Sequence, residues 1–325
     1  MKKTLLALAV LAAAGSANAA EIVKNDSGTV DFYGQIREAI TYETTDNSSE
    51  TAIDEGSSRA GINASWKLTD SLNLIGNVEF GLTNDMNGRK NWIGVASDEY
   101  GSLYFGRNAL LADDVYGAEY SWYYGIADKA LYDHEVANDD YWQKNSINYD
   151  LYKDNFWVRA QYNLDESKSA PTEGALFAGT AFGDLKVHAG VTYYHSNDLT
   201  SGNYTGDIES TSTELTGEYT VGDALIGVTY AHIDRNVNDA DDDSDAINLA
   251  TSYNISKATA VYGGYQFVKM QDEDNADLNN VYLGVSYRPV TWALTYVEYG
   301  FQDSGVNGTQ PEARNGLAVG ARVYW

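Results

Sequence analysis

Apolar and polar residues alternate along most of the chain from Val30 onwards, which is the period of a β-strand whose two faces meet different surroundings. In the second such segment Ile62 and Trp66 share one face, while Asn63 and Lys67 share the other. The pattern predicts sixteen strands: Val30–Tyr42, Ser58–Leu68, Ser71–Leu82, Lys90–Ser97, Gly101–Arg107, Lys144–Leu151, Asn155–Leu164, Gly174–Phe182, Leu185–His195, Ser210–Thr220, Ala224–Ile233, Asp245–Asn254, Ala258–Lys269, Leu278–Arg288, Thr291–Phe301 and Arg314–Trp325. An even number of antiparallel strands, each near the ~9–11 residues that cross a bilayer, can close into a barrel without an unpaired edge.

The connections between these strands alternate in length. Short ones, such as Thr69-Asp70 and Gly183-Asp184, take turns with long ones, such as Glu43–Ser57 and Ser196–Glu209. Short turns at one end and long loops at the other are typical of outer-membrane barrels. Near the midplane a lipid-facing Arg or Lys costs ~2–4 kcal/mol, so we assign the polar face of each strand to a wet lumen.

The longest connection, Asn108–Gln143, has neither a strand nor a helix period. It carries eight carboxylates, six tyrosines and two tryptophans. A structureless connection of this length is unusual in a compact fold and is commonly functional. We predict that it folds back into the barrel and narrows the lumen; a solvated external loop is the alternative.

The first residues have the pattern of a secretory signal peptide. Lys2 and Lys3 precede the short apolar run Thr4–Ala14, and Ala17-Asn18-Ala19 forms a cleavage signal. We therefore predict two regions, a signal peptide at 1–19 that is cleaved after Ala19 and a barrel at 20–325. After Ala19 no run of eighteen apolar residues occurs, which excludes an inner-membrane helix bundle.

The composition restricts the chemistry further. The chain has no cysteine, so it has no disulfide framework and no thiol chemistry. Its four histidines form neither a zinc-protease motif nor a nucleophilic triad, so we expect no enzyme activity, no metal and no cofactor. The chain has 47 acidic and 21 basic residues, for a net charge of −26, and nucleic acid is not expected as a partner.

Three segments resemble the general diffusion porins of Gram-negative bacteria. They are Ala20-Glu21-Ile22 with Val30-Asp31-Phe32-Tyr33-Gly34, then Tyr100-Gly101-Ser102 through Phe105-Gly106-Arg107-Asn108, and the closing Val319-Gly320 with Val323-Tyr324-Trp325. Together with the strand count, the resemblance covers the chain after Ala19. It implies a trimeric, sixteen-stranded, antiparallel transmembrane β-barrel in the outer membrane, with the long third loop inside the lumen.

The resemblance also implies a constriction in which basic wall residues face acidic residues of that loop. The matching wall residues are Arg59, Arg107 and Lys144, with Arg37 standing in where Gln35 occupies the family's lysine position. The family's loop-tip motif is absent, and the expected acidic residues are Asp113, Asp114, Glu119, Asp128 and Asp133. The terminal Val323, Tyr324 and Trp325 match the signal that the barrel-assembly machinery reads.

The expected function is passive diffusion of ions and small hydrophilic solutes, with a preference for cations because acidic side chains predominate. The expected partners are two further copies of the chain, outer-membrane lipid and lipopolysaccharide, the barrel-assembly machinery, and the diffusing solutes and cations. Two alternatives stay open: a porin specific for oligosaccharides, in which the loop aromatics stack against sugars, and a secreted carbohydrate-binding β-protein.

Overall fold

The computed structural model describes residues 20–45, 48–83, 87–115, 117–126, 142–164, 172–201, 204–238, 240–241, 243–270, 277–306 and 309–325. These residues form one closed antiparallel barrel of sixteen strands, which confirms the predicted fold class. The barrel strands are β2 (Gly28–Thr44), β4 (Arg59–Lys67), β5 (Asn73–Gly81), β6 (Gly88–Ser97), β7 (Gly101–Ala109), β8 (Trp142–Tyr152), β9 (Phe156–Asn163), β10 (Thr172–Phe182), β11 (Leu185–Ser201), β12 (Tyr204–Val221), β13 (Ala224–Val237), β15 (Ser244–Asn254), β16 (Thr259–Met270), β17 (Leu278–Val290), β18 (Ala293–Val306) and β19 (Thr309–Tyr324).

Pairing of the last strand with the first barrel strand closes the ring. Val319 lies opposite Ile40, and Arg322 lies opposite Arg37. Three short strands lie beside the ring: β1 (Ala20–Asn25) and β3 (Ser49–Asp54) pair with β2, and β14 (Ala240–Asp241) pairs with β13. The chain end is held too, because the backbone of Trp325 exchanges two hydrogen bonds with Gly34 (2.9 and 3.1 Å).

Each predicted strand overlaps one barrel strand, and the largest differences lie at the ends next to the long connections. In the structure β11 ends at Ser201 and β12 begins at Tyr204. The corresponding predicted strands end at His195 and begin at Ser210. Both faces of a strand meet water beyond the bilayer, so the alternation of polarity fades there while the hydrogen-bonded ladder continues.

The alternation assigns the faces of the barrel as expected. Along β17, Val281, Leu283 and Val285 are exposed on the outer surface, and Asn280 and Ser286 on the opposite parity are buried on the inner one. Outward-facing apolar residues meet lipid, and inward-facing polar residues meet the lumen. Among the described residues no helix is long and apolar enough to cross a membrane.

The inner wall also carries an apolar cluster. Leu110, Leu111 and Val115 pack against inward-facing Phe177 of β10 and Ala231 of β13. Residues Leu111–Asp114 form one short helical turn, α1. Burial of these side chains removes apolar surface from water, so the first residues after β7 adhere to the wall.

Candidate functional site in the barrel lumen

A cavity of about 680 Å³ lies inside the barrel, between one sector of the wall and the segment that follows β7. Strands β2, β4, β5, β6 and β19 supply the wall sector. The basic residues that line it are Arg37, Arg59, Arg89, Lys90 and Arg322, and the acidic ones are Glu79, Asp113, Asp114 and Glu119. Residues of both charges therefore line one cavity, and the aromatic residues Tyr33, Trp92, Trp122, Tyr123 and Trp142 line it with them.

Residues 110–115 and 117–126 follow the inner wall because their backbone groups bond to inward-facing side chains. The N–H of Leu111 donates to Gln161 Oε1 of β9 (2.9 Å), and the N–H of Ala118 donates to Thr229 Oγ1 of β13 (2.7 Å). The N–H of Ile126 donates to Gln266 Oε1 of β16 (2.9 Å). Irregular backbone inside a membrane protein is tolerated where other parts of the protein form hydrogen bonds with its N–H and C=O groups. The side chains of the inner wall accept such bonds from this segment.

Glu298 of β18 is the main anchor of this segment and is fully buried. Its carboxylate accepts hydrogen bonds from the N–H groups of Trp122 (2.7 Å), Tyr123 (3.2 Å) and Tyr124 (2.6 Å). The hydroxyls of Ser121 (2.6 Å) and Tyr262 (2.8 Å) also donate to it. Successive N–H groups around one anion form a backbone nest, which holds residues 121–124 against the wall.

On the basic side, Glu79 offsets two of the arginines. Its carboxylate lies 2.7 Å from Arg89 Nε and 3.6 Å from Arg59 Nε, and it accepts a hydrogen bond from the Tyr33 hydroxyl (3.0 Å). The Arg89 guanidinium also lies over the Trp142 ring, 4.3 Å from its centroid. Such stacking keeps a planar guanidinium in place.

On the acidic side, Asp114 pairs with Arg159 of β9 (3.0 Å), which also binds Asp150 of β8 (2.8 Å). Burial by itself would raise the pKa of Asp114, but attraction to Lys90 and Arg159 outweighs it and lowers the pKa below its ordinary value. Asp114 is therefore a carboxylate at neutral pH.

The structure brings together five of the nine residues expected at the constriction. Arg37, Arg59, Asp113, Asp114 and Glu119 line the cavity. Asp128 and Asp133 lie outside the described residues, as do residues 1–19.

Arg107 and Lys144 do not line this cavity. Arg107 has the outward parity of Leu103 and Phe105, whose side chains are 50% and 60% exposed, and it lines an outer groove beside Phe80. Lys144 is exposed next to inward-facing Gln143. The alternation within each strand, rather than the family position, decides which face a charge occupies.

The cavity also contains charged residues that the sequence did not single out. Glu79 and Arg322 lie on the polar face of predicted strands, so alternation already indicated their direction. Arg89 and Lys90 lie at the start of β6, beside a long connection, where no such signal exists. Among the described residues no group of three or more His, Asp or Glu side chains could hold a metal ion.

Comparisons with known proteins agree with this architecture. A family model described as Gram-negative porin matches residues 5–307. Porin-like protein H of Photobacterium profundum is 30% identical, over 86% of this chain and 90% of its own length. The major outer membrane protein of Pasteurella multocida is 25% identical over the whole of both chains.

Solved structures give the same result. The in-vitro folded outer membrane protein OmpT of Vibrio cholerae superposes with a TM-score of 0.81 and 35% identity, over 94% of this chain and all of that one. A closed sixteen-stranded barrel with an apolar outer surface and a charged lumen is suited to an outer membrane. The chain therefore belongs to the Gram-negative porin family and is an outer-membrane porin.

Proposed function

We propose that the chain forms a water-filled channel for passive diffusion of ions and small hydrophilic solutes, with its constriction at the cavity described above and a preference for cations. The observation that carries this proposal is that Arg37, Arg59, Asp113 and Glu119 line one cavity inside a closed barrel. No catalytic step is needed. A solute that enters the cavity meets a transverse field, which orients dipolar solutes and disfavours apolar ones.

The charges at the cavity nearly cancel, since five basic and four acidic residues line its described part. The preference for cations then has to come mainly from the rest of the molecule, because over the whole chain 47 acidic residues outnumber 21 basic ones, and only four of those acids and five of those bases line the cavity. An acidic entrance raises the local concentration of cations, an effect that weakens with salt.

The assembly we propose is a homotrimer in the outer membrane, surrounded by lipid and lipopolysaccharide. Support comes from the trimer form of Vibrio cholerae OmpT, which is 35% identical and covers 92% of this chain. We also propose export through residues 1–19 and recognition of Val323, Tyr324 and Trp325 by the barrel-assembly machinery. In the structure Val323 and Tyr324 belong to β19, which closes the ring.

The test is the reversal potential of the purified protein in planar bilayers under a salt gradient. The double variant Asp113→Asn/Glu119→Gln removes two negative charges from the cavity and should weaken cation preference. Asp98→Asn/Asp184→Asn removes two charges from exposed short turns and serves as the matched control. Channels whose selectivity is the same in both variants would place the constriction elsewhere, and a protein that opens no channel would refute the proposal.

A porin specific for oligosaccharides is the second candidate, favoured by the aromatic rings at the cavity. Against it, Arg89 and Arg322 already lie over Trp142 and Trp122, at 4.3 and 4.6 Å from the ring centroids. Current block by a linear glucose oligomer at micromolar concentration would favour this candidate over general diffusion.

A further inference from the structure

The cavity contains two guanidinium groups that lack an acidic partner among the described residues. Arg37 of β2 and Arg322 of β19 are directly opposite each other in the ladder that closes the barrel, and both line the cavity. Like charges directly opposite on neighbouring strands destabilise a sheet. The repulsion within such a pair must be offset by a compensating anion, or the pair must serve a function that outweighs its cost in stability.

The other basic residues of the cavity are compensated. Arg59 and Arg89 share Glu79, and Lys90 attracts Asp114. Within the described part of the chain, neither Arg37 nor Arg322 forms an ion pair with a carboxylate. The Nε atoms of both are buried and have no hydrogen-bond acceptor there.

The surroundings of the pair fit an organic anion. Arg322 donates to the Trp122 carbonyl, and its guanidinium lies over the Trp122 ring and 5.8 Å from the centroid of Tyr296. These contacts hold Arg322 in place, and the buried Nε atoms of both arginines are left without an acceptor in the described part of the chain. Planar guanidinium groups bind carboxylates through two parallel hydrogen bonds.

We propose that Arg37 and Arg322 form a subsite for the carboxylate of a small organic solute, with Trp122 bordering the space for its carbon skeleton. The inference rests on the proposed function, because the solute has to reach the cavity by diffusing through the barrel. It goes further by assigning a ligand class to one part of the wall. Small ions respond to the summed charge of the channel, whereas a carboxylate held by two guanidinium groups has a measurable residence time.

The experiment measures equilibrium binding of benzoate to the purified, detergent-solubilised protein by saturation-transfer NMR, with benzamide as the uncharged analogue. Wild type should bind benzoate and not benzamide. Arg37→Gln should weaken benzoate binding by about tenfold or more, the usual effect of losing one charge-assisted hydrogen bond. Arg59→Gln, which removes a compensated arginine from the same cavity, should weaken it by less than about twofold.

Three results would overturn the inference: no benzoate binding by wild type, equal binding of benzamide, or equal weakening by the two arginine variants. Each variant is shown to be folded if its mobility in a detergent gel does not change after mild heating. Binding does not depend on conduction, so the two proposals can fail separately. A channel that does not bind benzoate refutes only this inference, and a benzoate-binding protein that opens no channel refutes only the proposed function.

Discussion

Glu298 shows how much one buried side chain determines in this lumen. A carboxylate with no solvent contact is costly unless every oxygen is hydrogen-bonded, and here five donors satisfy it. Three of those donors are consecutive backbone N–H groups, so the charge of Glu298 and the conformation of residues 121–124 depend on each other. Its effect on the channel is to keep the segment that carries Trp122 and Tyr123 at the edge of the cavity.

We therefore expect Glu298→Gln to loosen residues 121–124. The amide has one acceptor oxygen, so buried donors lose their partner, at a cost of roughly 1–3 kcal/mol each. Single-channel recordings should show increased current noise at constant voltage. The matched control is Glu218→Gln, which removes a carboxylate that accepts a hydrogen bond from the Tyr120 hydroxyl (2.7 Å). Currents as quiet as those of wild type would contradict the assigned role.

Individual charges also show where residue-scale prediction succeeds. Arg59 shares its parity with Asn63, the face that alternation assigns to the lumen, and it lines the cavity. Arg107 shares its parity with the lipid-facing Leu103 and Phe105. For this residue, the alternation within the strand predicts the face of the side chain better than the matching position in the family does. The loop partners of Glu298, by contrast, lie 174 to 177 residues away along the chain, and no local pattern indicates such a contact.

At the scale of elements, closure of the ring depends on a close approach between β2 and the chain end. Gly34 lies on the outer face with Phe32 and Ile36, and the Trp325 ring packs over it. A Cβ at Gly34 would overlap that ring. The glycine therefore leaves room for the terminal tryptophan, whose ring also contacts Phe32 with centroids 6.0 Å apart.

We expect Gly34→Ala to impair closure, because overpacking of a filled site costs about 1–3 kcal/mol. The amount of heat-resistant oligomer in outer-membrane fractions should fall, and the melting temperature of the purified protein should decrease. Gly217→Ala is the control, since it is a strand glycine with open space where the Cβ would lie. Equal losses in the two variants would show that the Trp325 contact is not the cause.

The strands themselves were predictable, because lipid on one side and water on the other impose a period of two on every spanning segment. The short strand β3 was not predicted. It extends the first long connection as a hairpin on β2, and its Asp54 accepts a hydrogen bond from the Tyr123 hydroxyl (2.7 Å). Its residues Ser49–Asp54 do not alternate between polar and apolar, and five of the six are exposed, so polarity along the sequence does not mark it.

At the scale of the whole molecule, the net charge of −26 acts over a longer range than the balanced charges of the cavity. The screening length is ~10 Å at 0.1 M salt and ~3 Å at 1 M. Under the proposed function, the fields of charges outside the cavity reach the permeation path in dilute salt and are screened in concentrated salt, whereas charges that line the cavity act at contact distance.

We therefore expect the ratio of cation to anion permeability to fall towards the ratio of the ion mobilities as KCl is raised from about 0.1 to about 1 M, the range over which screening shortens. Reversal potentials at a fixed concentration ratio measure this. A preference for cations that is unchanged at the higher KCl concentration would assign the selectivity to the residues that line the cavity. Asp113 and Glu119 would then be the first residues to substitute. Anion preference in dilute salt would contradict the proposal outright.

The sequence by itself determined the strand count, the antiparallel order, the face of most side chains and the family, because these follow from local alternation, loop lengths and short motifs. Only the tertiary structure decided which charges meet. Closure of the ring places Arg322 opposite Arg37 although they are far apart in the chain, and the segment after β7 brings Asp113 and Glu119 to the wall. Those contacts depend on long-range geometry, and a strand's period carries no information about which distant strand or loop will face it.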